Sequence, residues 1–167
     1  MESEKDSRTG PREPRATRPY MPGYGISTAR EGILPWSWAR ERLERARNYF
    51  VATARPDGRP HCMPVWAVWI DERLIFSTGT SSRKARNLAS NPECVITTES
   101  AVEAVILEGR AHEERDPELL DRWRQAYRAK YDWDMDYTEG IFTVIPQRVF
   151  GFNETANFEG TATRWLF

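Results

Sequence analysis

Apolar residues along this chain switch between two spacings, and each switch marks a boundary. Residues 34–48, LPWSWARERLERARN, repeat at helical spacing. Trp38, Leu43 and Ala46 form a stripe among Arg and Glu, Ser37 supplies a cap, and Glu41 and Arg45 sit four apart in the favourable order. From Tyr49 the period drops to two. YFVATARPDGRPHCMPVWAVWID (49–71) predicts strand, turn, strand, with the chemistry of a tight turn at Pro56-Asp57-Gly58. Along 62–70 both alternating sets are largely apolar, so a strand covered on both faces is expected. Pro64 lacks a ladder donor and interrupts that strand.

The remaining segments follow the same two rules. DERLIFSTG (71–79) turns at Asp71-Glu72 into a strand, and SSRKARNLASNP (81–92) is a short helix stopped at Asn91-Pro92. ECVITTES and VEAVILEGRAHEER make two more strands. DPELLDRWRQAYRAKYDW (116–133) is a clear helix: Asp116 caps, Pro117 takes the first position, and Leu119, Leu120, Trp123 and Tyr127 form the stripe. GIFTVIPQRVFGF (140–152) is a strand with a break expected at Pro146, and TATRWLF (161–167) ends the chain as a strand. Residues 1–30 are rich in Pro, Gly, Arg and Glu and poor in aliphatics, which predicts a disordered or loosely packed tail before one domain at 31–167. Six or seven strands with short connections, plus two or three helices, predict a mainly β, antiparallel small barrel with peripheral helices.

Composition narrows the function classes. A net charge of −1 over 167 residues shows no basic excess of the nucleic-acid-binding kind. No apolar run approaches the ~20 residues of a membrane span, and the first residues lack a signal-peptide core, so a soluble cytoplasmic protein is expected. Cys62 and Cys94 form no metal-type pair, and free buried thiols are the expectation for both. His61 and His112 have no ligand partner at metal spacing, and His61 reads as a structural histidine more readily than as a base. Asp132, Asp134 and Asp136 read as a solvated loop, because the rest of a calcium-loop pattern is missing.

One stretch stands out electrostatically. In STGTSSRKARNL (77–88), Ser81 or Ser82 caps a helix whose first turns hold Arg83, Lys84 and Arg86, where the helix dipole disfavours cations. An anion from outside would account for that charge, and a solvated basic helix would account for it equally. With metal and hydrolytic chemistry poorly supported, an organic cofactor is the natural source of reactivity. A flat ring against the interrupted strand at Pro64-Val65-Trp66, with its phosphate at Arg83-Lys84, makes one consistent picture. A core strand beside a surface helix is the alternative.

DGRPHCMPVWAVWID, FSTGTSSRKARNLASNP and TATRWLF, in that order, resemble the flavin/deazaflavin oxidoreductase superfamily, the split β-barrel proteins related to pyridoxamine 5′-phosphate oxidase. The similarity runs from about Trp36 to Phe167. It implies a six-stranded antiparallel split barrel acting as a homodimer, with cofactor sites in the subunit groove. Carried over residue by residue, Pro64, Val65 and Trp66 would line the ring, and Ser77 and Thr78 would contact the ring and ribityl chain. Arg83, Lys84 and Asn87 would hold the phosphate. Arg164 and Trp165 would reach the partner's site, although Trp165 reads equally well as a plain interface aromatic. Family members use FMN or the deazaflavin coenzyme F420, and a few bind haem. The TRWLF ending and the Trp-rich helix look most like the deazaflavin branch, which reduces enones, quinones or biliverdin-like molecules. The resemblance therefore implies hydride transfer from reduced F420 to a small conjugated acceptor, with an FMN enzyme or a non-catalytic flavin binder as alternatives. The Arg-Leu-His-type substrate motif of true pyridoxamine phosphate oxidases is missing at the C-terminal end. No residue is assigned as catalytic, and the proton donor is unnamed.

Overall fold

The computed structural model describes residues 13–136 and 139–167. In chain order these form β1 (Arg15–Thr17), α1 (Trp36–Arg45), β2 (Tyr49–Ala54), β3 (Pro60–Val65), β4 (Ala67–Ile70), β5 (Arg73–Ser77) and α2 (Arg83–Ser90). They continue as β6 (Glu93–Thr98), β7 (Glu103–Glu113), α3 (Pro117–Tyr131), β8 (Ile141–Asn153), α4 (Glu154–Thr161) and β9 (Thr163–Leu166).

All strand pairings are antiparallel, in the order β1-β9-β8-β7-β6-β2-β3, with β5 also on β8 and β4 on β5. Only Trp66 separates β3 from β4, yet β3 pairs with β2 and β4 pairs with β5. The chain changes neighbour at that residue, which closes a ring through β2, β3/β4, β5, β8, β7 and β6. The long β8 makes this possible: Ile141–Val144 pair with β5, Arg148–Gly151 pair with β9, and nearly the whole strand lies on β7. The nine strands among the described residues exceed the expected number because the strand at 62–70 divides at Trp66 and because β1 was not anticipated.

Local chemistry explains most boundaries. Asp71 and Glu72 both take positive φ (49° and 58°), the two-residue turn that joins β4 to β5. Asp116 caps α3 by accepting from the Glu118 amide, and Leu119, Leu120, Trp123 and Tyr127 are buried as the helical period predicts. Ser82 caps α2. Two expectations change. Pro146 does not end β8; the missing N–H is absorbed by a bulge opposite Glu108/Gly109. A Cβ on Gly109 would lie 2.4 Å from the Ile145 carbonyl, so the bulge also needs that glycine. Helix α1 begins at Trp36 with Pro35 at the cap position and no side-chain cap, so Ser37 lies inside it.

The barrel interior holds Tyr49, Val51, Leu74, Phe76, Ile96, Leu107 and Trp165, with Trp36, Ala39 and Leu43 of α1 packed onto it. A second cluster forms where Leu119, Leu120, Trp123, Tyr127 and Tyr131 of α3 meet Val68, Ile75 and Ile141. Cys94 is buried, but Cys62 is exposed, contrary to expectation. The strand at 62–70 is likewise not covered throughout: Cys62, Met63 and Pro64 are exposed, and burial begins at Val65. The reason is position, since β3 ends the path of paired strands.

Part of the expected tail is ordered. Residues 15–17 pair with β9, and the Arg18 guanidinium donates to the carbonyls of Ala29, Glu31, Gly160 and Ala162. Residues 1–12 lie outside the described residues. Among the described residues, no helix is long and apolar enough to cross a membrane.

Candidate cofactor-binding site

The first half of the site is a group of cations where α2 meets the β2–β3 hairpin. The hairpin closes on Gly58 (φ 82°), with the Gly58 amide donating to the Arg55 carbonyl. Its acid, Asp57, is taken by the Arg59 guanidinium at 2.6 Å, and Arg55 acts on that carboxylate only from a distance, without an ion-pair contact. Arg83 and Lys84 enter from α2. Among the described residues, none of these three cations has an ion pair. His61 lies in their field: burial, then Lys84, Arg55 and Arg83, hold its imidazole below the usual range. Burial alone lowers Lys84.

Three buried polar atoms in this region have no partner: Arg55 Nε, His61 Nδ1 and Asn87 Oδ1. An unpaired buried polar atom costs about 1–3 kcal/mol, so such atoms beside charge without an ion pair are expensive unless a ligand completes them. An anionic group with several oxygen acceptors fits the two basic side chains. The carbonyl oxygen of Asn87 does not belong to that donor set.

The second half is the interruption at Trp66. Its indole stacks on the Tyr131 ring, with centroids 4.6 Å apart and planes 5° from parallel. The Arg47 guanidinium lies 5.6 Å from both rings. Behind the indole, Ala67 N–H donates to Tyr131 Oη at 2.9 Å, and Lys130 Nζ donates to the Ala67 carbonyl and to Tyr49 Oη. Lys130 is half-buried, and desolvation pulls its ammonium down to about 8 despite the attraction of Glu99.

Strand β3 connects the two halves. His61, Met63 and Val65 share one face of it. Met63 leaves 46% of its surface exposed and Val65 packs into the barrel core, so the accessible part of that face ends at Met63. From His61 to Trp66 is five residues of extended chain, ~16 Å at ~3.3 Å per residue, enough for a flat ring with a phosphate-bearing side chain. At the end of β5, Ser77, Thr78, Gly79, Thr80 and Glu139 line a cavity of about 370 Å³. Thr78 Oγ1 lies 3.0 Å from the capping Ser82 Oγ, and Thr78 N–H donates to the Gly140 carbonyl. Gly140 has φ 72°, and a Cβ there would sit 2.1 Å from the Thr78 carbonyl.

The structure brings together Pro64, Val65 and Trp66 on one segment, and Arg83 and Lys84 beside the hairpin. Two expected residues lie elsewhere. Asn87 is completely buried and donates to Thr53 Oγ1 at 2.9 Å, which ties α2 to β2; it faces inward because that side of α2 packs on β2. Trp165 is also completely buried, packed edge-on against Trp36 and over Gly151, where a Cβ would come within 2.7 Å of its ring. It is a core residue of its own chain, because β9 is flanked by β8 and β1. Arg164 donates through Nε to Thr17 Oγ1. Sequence reasoning missed Arg55, Lys130 and Tyr131. Arg55 was visible as a second basic residue around Pro56-Asp57-Gly58, but the pairing of Asp57 with Arg59 was not. Lys130 and Tyr131 were visible only as the end of an amphipathic helix.

Comparison with known proteins agrees with this architecture. The family model described as pyridoxamine 5′-phosphate oxidase matches residues 38–153. No curated protein matches the chain. Among solved structures, an F420 reductase is 24% identical with a TM-score of 0.53, covering 66% of this chain and 94% of its own. A conserved hypothetical protein from Mycobacterium tuberculosis is 21% identical with a TM-score of 0.65, covering 77% and 91%. A FAD-binding protein from Mesorhizobium loti is 18% identical with a TM-score of 0.60, covering 80% and 95%. At these identities the structures speak to the fold, and the match over residues 38–153 speaks to descent: the chain belongs to the pyridoxamine 5′-phosphate oxidase family.

Proposed function

We propose that this chain is a homodimeric oxidoreductase that binds a flavin-type cofactor along β3, with the deazaflavin F420 as the preferred cofactor and FMN as the alternative. One observation carries the reading. Cations without ion pairs, with Arg55 Nε and His61 Nδ1 buried and unpartnered beside them, lie at one end of β3, and an interrupted strand with a stacked indole lies at the other. That is the distribution required by a molecule that is charged at one end and planar at the other. Family membership and the resemblance to the deazaflavin branch support the same reading.

Bound there, such a cofactor supplies hydride transfer to a small conjugated acceptor such as an enone, a quinone or a biliverdin-like molecule. The side chains of this protein bind and orient. Lys84, Arg83 and Arg55 hold the anionic end, and Pro64, Val65 and Trp66 present a flat, largely apolar surface to the ring. Ser77 and Thr78 offer hydroxyls beside it. Holding two reactants in register contributes about 7 kcal/mol or more in favourable cases. A second copy of the chain covers the exposed faces at 60–64, which keeps water from the reacting atoms.

Titration of the purified protein with F420 and with FMN, followed by cofactor fluorescence, tests the proposal. Micromolar binding of one of them is expected, weakened roughly tenfold in Lys84→Ala and in Arg55→Ala, the loss of one charge-assisted contact. Absence of binding to either cofactor overturns the reading.

A further inference from the structure

The β2–β3 ladder ends one residue short of Trp66, and its register says what should have come next. Tyr49 faces Val65, so two more residues of the same pairing would set Arg47 opposite Ala67. That pair does not form. The Tyr131 hydroxyl stands between them instead, accepting from Ala67 N–H at 2.9 Å and lying 2.8 Å from both the Arg47 and Ala67 carbonyls. Its single proton can serve only one carbonyl. Lys130 already donates to Ala67 O at 3.0 Å, which frees the Tyr131 proton for Arg47 O. Lys130 also donates to Tyr49 Oη at 2.8 Å, and Tyr49 donates to the Leu43 carbonyl. Every group in this network is satisfied, so nothing drives the two strands back together.

We propose that Tyr131 and Lys130, from the last turn of α3, are positioning residues that wedge β2 apart from the β3–β4 segment beyond Val65 and so hold the chain at Trp66 out of the ladder, beside the cofactor ring. This rests on the cofactor reading above and names what maintains the site. The Tyr131 hydroxyl takes the place of a ladder contact, and its ring forms the surface against which Trp66 lies flat. Phenylalanine at 131 would keep the stacking and lose the wedge: Ala67 N–H and Arg47 O would then have to pair with each other or remain unbonded.

The test compares the unmodified protein with Tyr131→Phe and Lys130→Met in three measurements: amide hydrogen exchange at Ala67, F420 and FMN titration by fluorescence, and thermal unfolding. In Tyr131→Phe, exchange at Ala67 is expected to change roughly tenfold, with cofactor binding weakened at least tenfold beyond what the unfolding midpoint accounts for. Lys130→Met, which leaves the Ala67 N–H contact in place, is expected to weaken binding about threefold and to leave that amide unchanged; it also serves if Tyr131→Phe does not fold. Cofactor affinity within twofold of the unmodified protein in both variants overturns the wedge while leaving the cofactor reading intact. An unchanged Ala67 amide in folded Tyr131→Phe overturns it as well. If the unmodified protein binds neither cofactor, the cofactor reading fails and takes the positioning role with it, whatever Ala67 does.

Discussion

Lys130 shows how much a single side chain can say about its surroundings. Its ammonium is held near 8, below its ordinary 10.5, because burial outweighs the pull of Glu99. At this side chain the folded state therefore carries fewer protons than the unfolded state between about pH 8 and pH 10, and its contribution to stability rises with pH across that window. Above it the tyrosines reverse the slope. Burial raises Tyr49, and it raises Tyr131 to about 12, so the unfolded chain releases those protons first and stability is lost as pH climbs past 10. Burial also raises the Cys94 thiol, to about 12, which costs stability from about pH 9. Urea unfolding should therefore show the unmodified protein gaining about 1 kcal/mol relative to Lys130→Met between pH 7.5 and pH 9.5, after allowance for the solvent that reaches the ammonium. His61 differs from Lys130: it combines burial with three neighbouring cations. An anion placed among those cations would raise its imidazole again.

At the scale of elements, two strands decide how the site is framed. The first is β1, which joins a segment that looked featureless to the C-terminal strand. Composition disfavoured order at 13–30, yet Arg18 gathers four carbonyls from the 29–31 loop and the end of α4, a polar anchor that adds to the packing of Ala16 on the core. Arg18→Ala should cost about 2 kcal/mol and speed proteolysis within 19–31, read by urea denaturation and limited trypsin digestion. The second is β3. It is an edge strand with Pro60 and Pro64 in it, so its ladder groups are poorly suited to extension by another strand. A partner covering it would sit on its faces.

For the whole molecule, that edge motivates the homodimer. Phe50, at 42% exposure, faces Pro64 across β2 and β3, and Cys62 lies on the same face. An apolar surface beside an open site fits a second copy of the chain. Sedimentation should give twice the 19.4 kDa of one chain, and Phe50→Glu should return it to 19.4 kDa with its melting cooperative. A chain that sediments as a monomer at cellular concentration would remove the dimer from the proposal.

Period and punctuation in the sequence determined the elements. The stripe of α3, the caps at Asp116 and Ser82, the turn at Asp71-Glu72 and the basic start of α2 are all local, and local chemistry is what a linear chain displays. The tertiary structure decided which way those side chains face. Asn87 and Trp165 were expected at a ligand and at the partner's site, but both are interior, because the helix face and the flanking strands that bury them come from distant parts of the chain. The same holds for the break at Trp66. Pro64 was expected to interrupt the pairing, but it faces Phe50 within β3 and the break falls at Trp66, where the hydroxyl that keeps the strands apart arrives from Tyr131, 64 residues from Ala67. Sequence spacing carries no trace of such an encounter, since it exists only once α3 has docked.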